Sequence, residues 1–259
     1  MAEPLVRLET EGFTATVTLA RPEKLNALTA LMLAELETIA AGLERRDDIR
    51  VVLITGSGPK AFCAGADIAD WGAYAPLDFG RHWVREGHRI FDRWARLRQP
   101  LIAVLNGIAF GGGLELAATA DLRVAEAHAR VALPESRIGI IPGWSGTQRL
   151  VRRVGPGTVK RLAFTGEPVD AAEALRLGLV DYVCPTGEGM AFARGLAASI
   201  AERAPVAVQT AKQLVNAAEG EETAAAFEAI AGALAATTQD ATEGVAAFRD
   251  KRAATFTHR

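Results

Sequence analysis

Apolar and polar residues alternate in two stretches near the start of the chain, residues 5–8 and 13–19, on either side of a Glu-Gly pair. Such a period of two around a glycine turn predicts a β-hairpin. In residues 29–46 the apolar positions recur every three or four residues, which predicts a helix with Thr29 as its N-cap. Residues 50–55 form a continuous β-branched run, typical of a strand buried on both faces.

The same two periods continue to the end of the chain. They predict helices at residues 78–98, 155–164 and 170–177, and strands at residues 121–126, 129–133 and 179–183. From Gly187 onward the pattern is helical throughout. Strands that alternate with helices, followed by helices alone, predict an α/β core in residues 1–195 and a C-terminal helical region in residues 196–259.

The C-terminal region is too amphipathic to stand alone in water. Its helical pattern carries large apolar side chains at Phe227, Ile230, Leu234, Val245 and Phe248. A helix with an apolar face buries that face against another element or another chain. We therefore expect this region to bury its apolar face against another element or another chain.

Three successive glycines, residues 111–113, separate an apolar run from a segment of helix formers that carries Glu115. Glycine allows a close backbone approach, and the first amides of a helix have no partner within the helix. Such a turn can hold an anion or the developing charge on a carbonyl oxygen. A second turn of small residues lies around Gly65. The alternative is tight packing alone, with Glu115 favoured by the helix dipole.

Composition excludes several classes of protein. The 259 residues carry a formal net charge of −2, which gives no general attraction to nucleic acid or to an anionic membrane. The two cysteines and four histidines, His258 included, have no metal-ligand spacing. No apolar run approaches the length of about 20 residues that spans a bilayer, and the N-terminus has no targeting pattern. These features predict a cytoplasmic protein without a metal.

Arginines recur every four residues along the predicted helix at residues 78–98, at Arg81, Arg85, Arg89 and Arg93. One interpretation is a ridge that binds phosphate. The interpretation we favour is a solvated face whose charge is partly balanced by acidic residues of the same helix, Glu86 and Asp92.

The chain resembles the enoyl-CoA hydratase/isomerase (crotonase) superfamily over nearly its whole length. The resemblance rests on the order and spacing of several segments: RPEKLNAL, AFCAGADI, NGIAFGGGLELA, ADLRVA, LPESRIGIIPG, GTQRL, TGEPVDAAEALRLGLVD and FRDKR. It implies a spiral core of ββα units with a helical trimerisation region. It also implies a homotrimer, or a hexamer built as a dimer of trimers.

The resemblance further implies an enoyl-CoA hydratase, which adds water reversibly to a trans-2-enoyl-CoA to give a 3-hydroxyacyl-CoA. The family's oxyanion hole falls on the backbone amides of Ala66 and Gly112. Its two catalytic glutamates fall on Glu115 and Glu135. We assign Glu115 as the base that activates water and Glu135 as the group that exchanges a proton at the α-carbon.

Substrate-binding positions are carried over in the same way. Pantetheine and adenine are expected along Ala64, Ala66, Asp67 and Ile68, with Leu25 near the adenine. Lys24 and Lys251 are candidates for phosphate contacts, although both fit equally well as plain surface lysines. After Gly143 the chain departs from the family with a tryptophan, Trp144, which either shortens the acyl pocket or packs in the core. The predicted substrate-binding set is Lys24, Leu25, Ala64, Ala66, Asp67, Ile68, Gly112, Gly143, Trp144 and Lys251.

The main alternative is an enoyl-CoA isomerase, whose members rely on one acid at a changed position. A decarboxylase or thioester hydrolase of this fold usually replaces one of the glutamates. A non-catalytic relative that binds CoA or RNA is disfavoured by the absence of a compact basic tract. A serine peptidase is set aside, because Ala66 and Glu135 stand where the serine and histidine are needed. No cofactor is implied, since CoA enters as part of the substrate.

Overall fold

The computed structural model describes residues 3–257 and 259, apart from the side chains of residues 224, 226 and 227. His258 and the side chain of Phe227 therefore lie outside the described residues. The chain divides into two compact units, Met1–Pro205 and Val206–Arg259. From the sequence we expect the catalytic core to end at residue 195 and the oligomerisation region to begin after it. This functional division stays a prediction.

The described part of the first unit contains ten strands and eight α-helices, with shorter turns between them. The strands are β1 (Val6–Glu11), β2 (Thr14–Leu19), β3 (Val51–Gly56), β4 (Ala61–Cys63), β5 (Leu101–Leu105), β6 (Ile108–Phe110), β7 (Leu122–Glu126), β8 (Arg130–Ala132), β9 (Val169–Asp170) and β10 (Tyr182–Cys184). The helices are α1 (Ala30–Leu43), α2 (Ile68–Trp71), α3 (Pro76–Asp78), α4 (Arg85–Ala95), α5 (Gly112–Ala117), α6 (Gly146–Thr165), α7 (Ala171–Arg176) and α8 (Gly189–Ala201). Short 3-10 helices occur at Pro22–Lys24 and Glu135–Ile138, and a π-helix at Phe79–Val84.

Two sheets form the frame. The larger sheet has the strand order β1-β2-β3-β5-β7-β10, in which only the β1–β2 hairpin is antiparallel. The smaller sheet has the order β4-β6-β8-β9, with β9 antiparallel to β8. From β3 to β8, successive strands lie alternately in the larger and the smaller sheet. The α/β class predicted from the sequence is confirmed.

Strand β3 is covered on both faces, and this explains its uninterrupted apolar sequence. Val52 and Ile54 pack into the main core, whereas Val51 and Leu53 pack into a second cluster that includes residues of α8. A parallel strand that is covered on both faces has no solvent side on which polar residues are favoured. The predicted hairpin is also present, and Thr29 accepts a hydrogen bond from the amide of Met32 at 3.2 Å as the N-cap of α1.

Several predicted elements have different bounds. The helix predicted at residues 78–98 is divided into α3, the π-helix and α4, because a π turn adds one residue without breaking the apolar stripe. Helix α6 begins before residue 155 and is kinked at Gly155, which has φ of +77° and precedes a proline. The strand predicted at residues 179–183 is β10, which begins only at Tyr182. Leu179 and Val180 are buried, but they lie before the strand.

The arginines of α4 pair mainly with α1, which corrects the expected charge balance within one helix. Arg89 and Arg93 contact Glu37 of α1 at 2.8 and 2.6 Å. Arg93 also contacts Glu44 at 2.8 Å. These two arginines therefore hold α4 against α1, and this use argues against a phosphate ridge that includes them.

The second unit consists of helices α9 (Pro205–Ala218, with its first residue in the first unit), α10 (Thr223–Ala236) and α11 (Gln239–Arg249). Large apolar side chains are exposed on this unit, among them Leu214, Leu234, Val245 and Phe248. In the described part of the chain, no helix combines the length and the apolar character that crossing a membrane requires.

Candidate active site

The site is built on two turns of small residues that follow different strands of the smaller sheet. Gly65 follows β4 and has φ of +111°, and Gly111 follows β6 and has φ of +51°. Both values lie in the region that glycine occupies at little cost. A Cβ added to Gly65 would lie 3.0 Å from the carbonyl oxygen of Phe110 and 3.5 Å from the amide nitrogen of Gly112. The two turns therefore touch, backbone against backbone.

The amides of Ala66 and Gly112 converge at this contact. The Cβ position of Gly112 is only 3.5 Å from the nitrogen of Ala66. Neither amide has a hydrogen-bond acceptor within the described residues. Gly112 is the first residue of α5, where helix amides have no internal partner. Two unpaired donors at one place match the geometry of an oxyanion hole.

Glu115 lies one turn into α5 and is buried. One of its carboxylate oxygens, Oε1, accepts hydrogen bonds from the amides of Trp144 at 2.8 Å and Gly146 at 2.9 Å. Burial raises the pKa of Glu115, while these backbone amides and the charge of Arg149 oppose the rise. The ionised form of Glu115 is therefore solvated by the protein itself.

Glu135 begins the 3-10 turn after β8 and has a poorer environment. Its Oε2 is buried and has no hydrogen-bond partner among the described residues. Burial raises the pKa of Glu135 to about 7, and the negative charge of Glu115 adds to the rise. The carboxyl group fits beside Gly111, where a Cβ would lie 2.8 Å from its Oε1. The pKa of both carboxyl groups is thus raised, and Glu135, with a pKa of about 7, is partly protonated near neutral pH.

The segment that supplies the amides for Glu115 is itself anchored to α4. Ser145 has φ of +74°, which is unfavourable for a residue with a side chain. Its Oγ lies 3.0 Å from both ring nitrogens of His88 and donates to Asp92 at 3.3 Å. Asp92 also accepts from Arg149 at 2.6 Å. This network of Ser145, His88, Asp92 and Arg149 holds the loop in the conformation that Glu115 needs.

A cavity of about 290 Å³ opens between these groups. Both glutamates line it, together with Ala66 and Gly112. The rest of the wall is mostly apolar and aromatic: Ile68, Trp71, Phe79, Trp83, Val84, Ile138, Ile140, Ile141 and Trp144. The two interpretations of Trp144 are therefore not exclusive, because the residue lines the cavity and is also packed in the core. An apolar pocket with a few convergent polar groups is the usual form of a small-molecule site.

The other predicted substrate-binding residues separate into two groups. Ala64, Ala66, Ile68, Gly112, Gly143 and Trp144 line the cavity. Leu25 lies beside it, since its carbonyl accepts a hydrogen bond from the amide of Ala64 at 2.9 Å. Lys24 ends the adjacent 3-10 turn, and its charge helps to lower the pKa of Asp67. Lys251 belongs to the second unit, and its phosphate contact stays a prediction.

Asp67 has a structural use that the sequence did not indicate. Its carboxylate contacts Arg21 at 2.5 Å and accepts from the amide of Ala69 at 3.0 Å, which caps α2. The hydrogen bond from Arg21 is the main cause that lowers the pKa of Asp67. The carboxylate of Asp67 thus has a structural role, and its part in substrate binding stays a prediction. Within the described residues, no group of three or more His, Cys, Asp or Glu is placed to hold a metal ion.

Residues 9–259 match the family model described as Enoyl-CoA hydratase/isomerase. The chain belongs to this family. The match covers both described units, so the glycine turns, the two glutamates and the C-terminal helices all fall within it. The family predicted from the sequence is thereby confirmed.

Individual relatives agree with the family. The chain is 41% identical to the short-chain-enoyl-CoA hydratase of Clostridium acetobutylicum over 95% of each chain. It is 38% identical to the crotonyl-CoA hydratase of Syntrophomonas wolfei over 99% of each. The crystal structure of an enoyl-CoA hydratase from Bacillus anthracis superposes with a TM-score of 0.82 at 34% identity, covering 98% of this chain and 100% of that one. The crotonase fold predicted from the sequence is confirmed.

The environment of Glu135 predicts a specific dependence of stability on pH. Its pKa is raised in the folded protein from about 4.5 to about 7, so the stabilising effect is complete below pH 4.5 and is lost as the pH rises through 7. Glu135→Gln cannot ionise and should gain stability over the wild type by up to about 3 kcal/mol between pH 5 and pH 8. Thermal and urea unfolding at both pH values measure this difference.

Glu173→Gln serves as the matched control. Hydrogen bonds from Arg176 and Arg161 lower the pKa of Glu173 to about 2, so its ionised form is the favoured one. Its replacement should bring no gain at pH 8. If the difference in the free energy of unfolding between wild type and Glu135→Gln is the same at both pH values, the pKa of Glu135 is not raised on folding.

Proposed function

We propose that the protein is an enoyl-CoA hydratase that adds water reversibly to a trans-2-enoyl-CoA and gives a 3-hydroxyacyl-CoA. One observation carries the proposal: two carboxyl groups with different environments, Glu115 and Glu135, face the same cavity as two unpaired backbone amides. The names of the relatives from Clostridium acetobutylicum and Syntrophomonas wolfei support the same reaction.

The thioester oxygen accepts hydrogen bonds from the amides of Ala66 and Gly112. These donors polarise the conjugated double bond, so that the β-carbon becomes electrophilic. When the nucleophile adds, negative charge moves to the thioester oxygen in an enolate-like species. Fixed donors in a poorly solvated site stabilise this charge, and one such donor is commonly worth about 3 kcal/mol.

The two glutamates divide the elements of water. Glu115, whose ionised form is held by the amides of Trp144 and Gly146, takes a proton from the bound water as its oxygen bonds to the β-carbon. Glu135, in its protonated form, gives a proton to the α-carbon, and its pKa of about 7 keeps this form populated near neutral pH. The enzyme is reset when a proton returns from Glu115 to Glu135. Addition of water leaves the overall oxidation state of the substrate unchanged, so the reaction needs no redox cofactor.

An isomerase is less consistent with this arrangement. Moving a double bond shifts one proton between two carbons of the substrate, and a single acid-base group suffices for it. Here a second carboxylate is held by two backbone amides in the same cavity, where it has no task in an isomerisation. A non-catalytic relative would need neither a carboxylate held by backbone amides at Glu115 nor a carboxyl group with a raised pKa at Glu135.

We also propose that the protein assembles as a homotrimer, or as a hexamer made of two trimers, in the cytoplasm. The exposed apolar residues of the second unit, such as Leu234 and Phe248, support an assembly surface. Both cysteines, Cys63 and Cys184, are buried free thiols, which is compatible with a reducing compartment.

Hydration of crotonyl-CoA tests the proposed reaction, and the loss of the enoyl-thioester ultraviolet absorbance measures it. Glu115→Gln and Glu135→Gln should each lower kcat by about 10²- to 10⁴-fold, because each removes one positioned proton transfer. Both variants keep the shape of the pocket, so binding of butyryl-CoA should change little. Glu173→Gln should retain wild-type rates. If one glutamine variant retains wild-type activity, the two-glutamate mechanism is wrong.

The pKa of Glu135 predicts how the rate depends on pH. The two glutamates react with one proton shared between them, so kcat/KM for hydration should fall as the pH rises above about 7. Hydration takes up no net proton and its equilibrium constant does not depend on pH, so kcat/KM for dehydration of the 3-hydroxyacyl-CoA should fall in parallel. Stopped-flow rates in both directions from pH 5.5 to 8.5 would measure this. A kcat/KM that stays constant across this range would contradict the assigned role.

Sedimentation at micromolar concentration tests the assembly. We expect the mass of three or six chains. Phe248→Asp and Leu234→Asp place charge on the exposed apolar surface of the second unit and should shift the distribution toward smaller species. A wild-type protein that sediments as a monomer would refute the proposed oligomer.

A further inference from the structure

The indole of Trp144 is held by a hydrogen bond and by two aromatic neighbours. Its Nε1 donates a hydrogen bond to the carbonyl oxygen of Trp83 at 3.2 Å. Its ring lies 5.3 Å from the ring of Trp83 and 5.2 Å from that of Phe91, between ring centroids. Aromatic pairs at these distances add to the stabilisation from burial. Movement of the ring when a ligand enters would therefore break this hydrogen bond and these two ring contacts.

Gly87 of α4 makes room for this ring. A Cβ at Gly87 would lie 2.2 Å from Nε1 of Trp144, far inside contact distance. A glycine in the middle of a helix costs about 1 kcal/mol relative to alanine. Gly87 is the position where the indole lies directly against the backbone of α4, so a residue with a side chain would not fit there. Trp144 and Gly87 thus form a matched pair.

The ring stands next to the reacting groups. The Cβ position of Gly112 lies 2.8 Å from Cζ3 of Trp144 and 3.5 Å from the amide nitrogen of Ala66. The backbone amide of the same tryptophan donates to Glu115. A substrate whose thioester oxygen meets Ala66 and Gly112, and whose β-carbon faces Glu115, has its next carbons directed at the indole.

The exposure of the wall residues shows which end of the cavity is closed. At the mouth, Ile68 and Ile138 are about half exposed, and Ile141 is 80% exposed. At the other end, Trp83 and Trp144 are 5% and 3% exposed. The CoA part of the substrate is large and polar and must remain on the open side. The acyl end therefore points toward the two tryptophans.

We propose that Trp144, held by Gly87, closes the acyl end of the pocket and restricts the enzyme to short-chain enoyl-CoA esters, with crotonyl-CoA as the preferred size. This inference rests on the proposed hydratase function. Each additional methylene group has to displace a ring that is hydrogen-bonded and packed. A well-fitted apolar pocket discriminates by about 10- to 200-fold for one methylene group.

The first experiment compares kcat/KM for enoyl-CoA esters of four, six, eight and ten carbons. The wild type should lose at least about tenfold from four to six carbons and more beyond that. Trp144→Leu should raise the ratio of eight-carbon to four-carbon activity by at least about tenfold. Trp94→Leu is the matched control, because Trp94 is a buried tryptophan of α4 that does not line the cavity. Its chain-length ratio should equal that of the wild type.

The second experiment tests the pair through Gly87→Ala. The added methyl pushes the indole away from α4 and into the cavity, so six-carbon activity should fall by a larger factor than four-carbon activity. In the background of Trp144→Leu the same substitution should have little effect, because leucine clears the space. Equal effects of Gly87→Ala in both backgrounds would show that the glycine acts on the helix alone.

Binding of butyryl-CoA and octanoyl-CoA, measured by calorimetry on the same variants, gives a readout that does not depend on turnover. If the wild type binds and hydrates the eight-carbon ester as well as the four-carbon ester, the inference on Trp144 is wrong and the hydratase stands. If the wild type hydrates none of the esters, the proposed function is wrong. The ratio of the two binding constants then still tests the closed end of the pocket.

Discussion

One oxygen of Glu115 accepts two backbone hydrogen bonds, from Trp144 and Gly146, and the rest of the site depends on this contact. It joins the helix that follows the glycine turn to the loop that begins α6. The loop in turn is tied to α4 through Ser145, His88 and Asp92. Loss of the two amides would leave a buried charge without solvation, which is among the most costly defects in a protein interior. The segment 143–146 is therefore both a wall of the pocket and the counterpart of its base.

The two glutamates show how similar side chains acquire different chemistry. Burial raises the pKa of Glu115, but fixed amide dipoles and the charge of Arg149 offset part of the cost of its negative charge. Glu135 is buried with one oxygen unpartnered among the described residues, and the nearby charge of Glu115 adds to its cost of ionising. Two acids that share a pocket can thus have different hydrogen-bond environments, and in the proposed mechanism the acid held by backbone amides is the base and the other is the proton donor.

Much of the frame follows from local pattern. The hairpin, the first helix with its cap, the buried run of β3 and the strand–glycine–helix turn are all determined by residues close in sequence, where periodicity and turn chemistry act. The resemblance to the family added the pairing of Ala66 with Gly112 and of Glu115 with Glu135, which no local pattern contains. The structure brings each pair to one cavity.

What the sequence could not predict depends on contacts between distant segments. The indole of Trp144 lies against Gly87, and Ser145 meets His88, more than fifty residues away in each case. Arg21 and Asp67 are paired over a similar separation. Gly87 and Ser145 look like ordinary helix and loop residues until their partners are known. The π-helix at Phe79–Val84 has no signal of its own in the sequence, because the apolar spacing fits an α-helix equally well.

The contact between the turns at Gly65 and Gly111 has a consequence for how the enzyme tolerates mutation. Its two oxyanion donors are main-chain groups, so among substitutions only proline, which has no amide hydrogen, deletes them directly. They are sensitive instead to volume, because a methyl group at Gly65 would press on the carbonyl of Phe110, and one at Gly111 would press on Glu135. In a saturation mutagenesis map, this part of the site would therefore appear as positions that accept glycine alone, beside glutamates that reject even their closest isosteres.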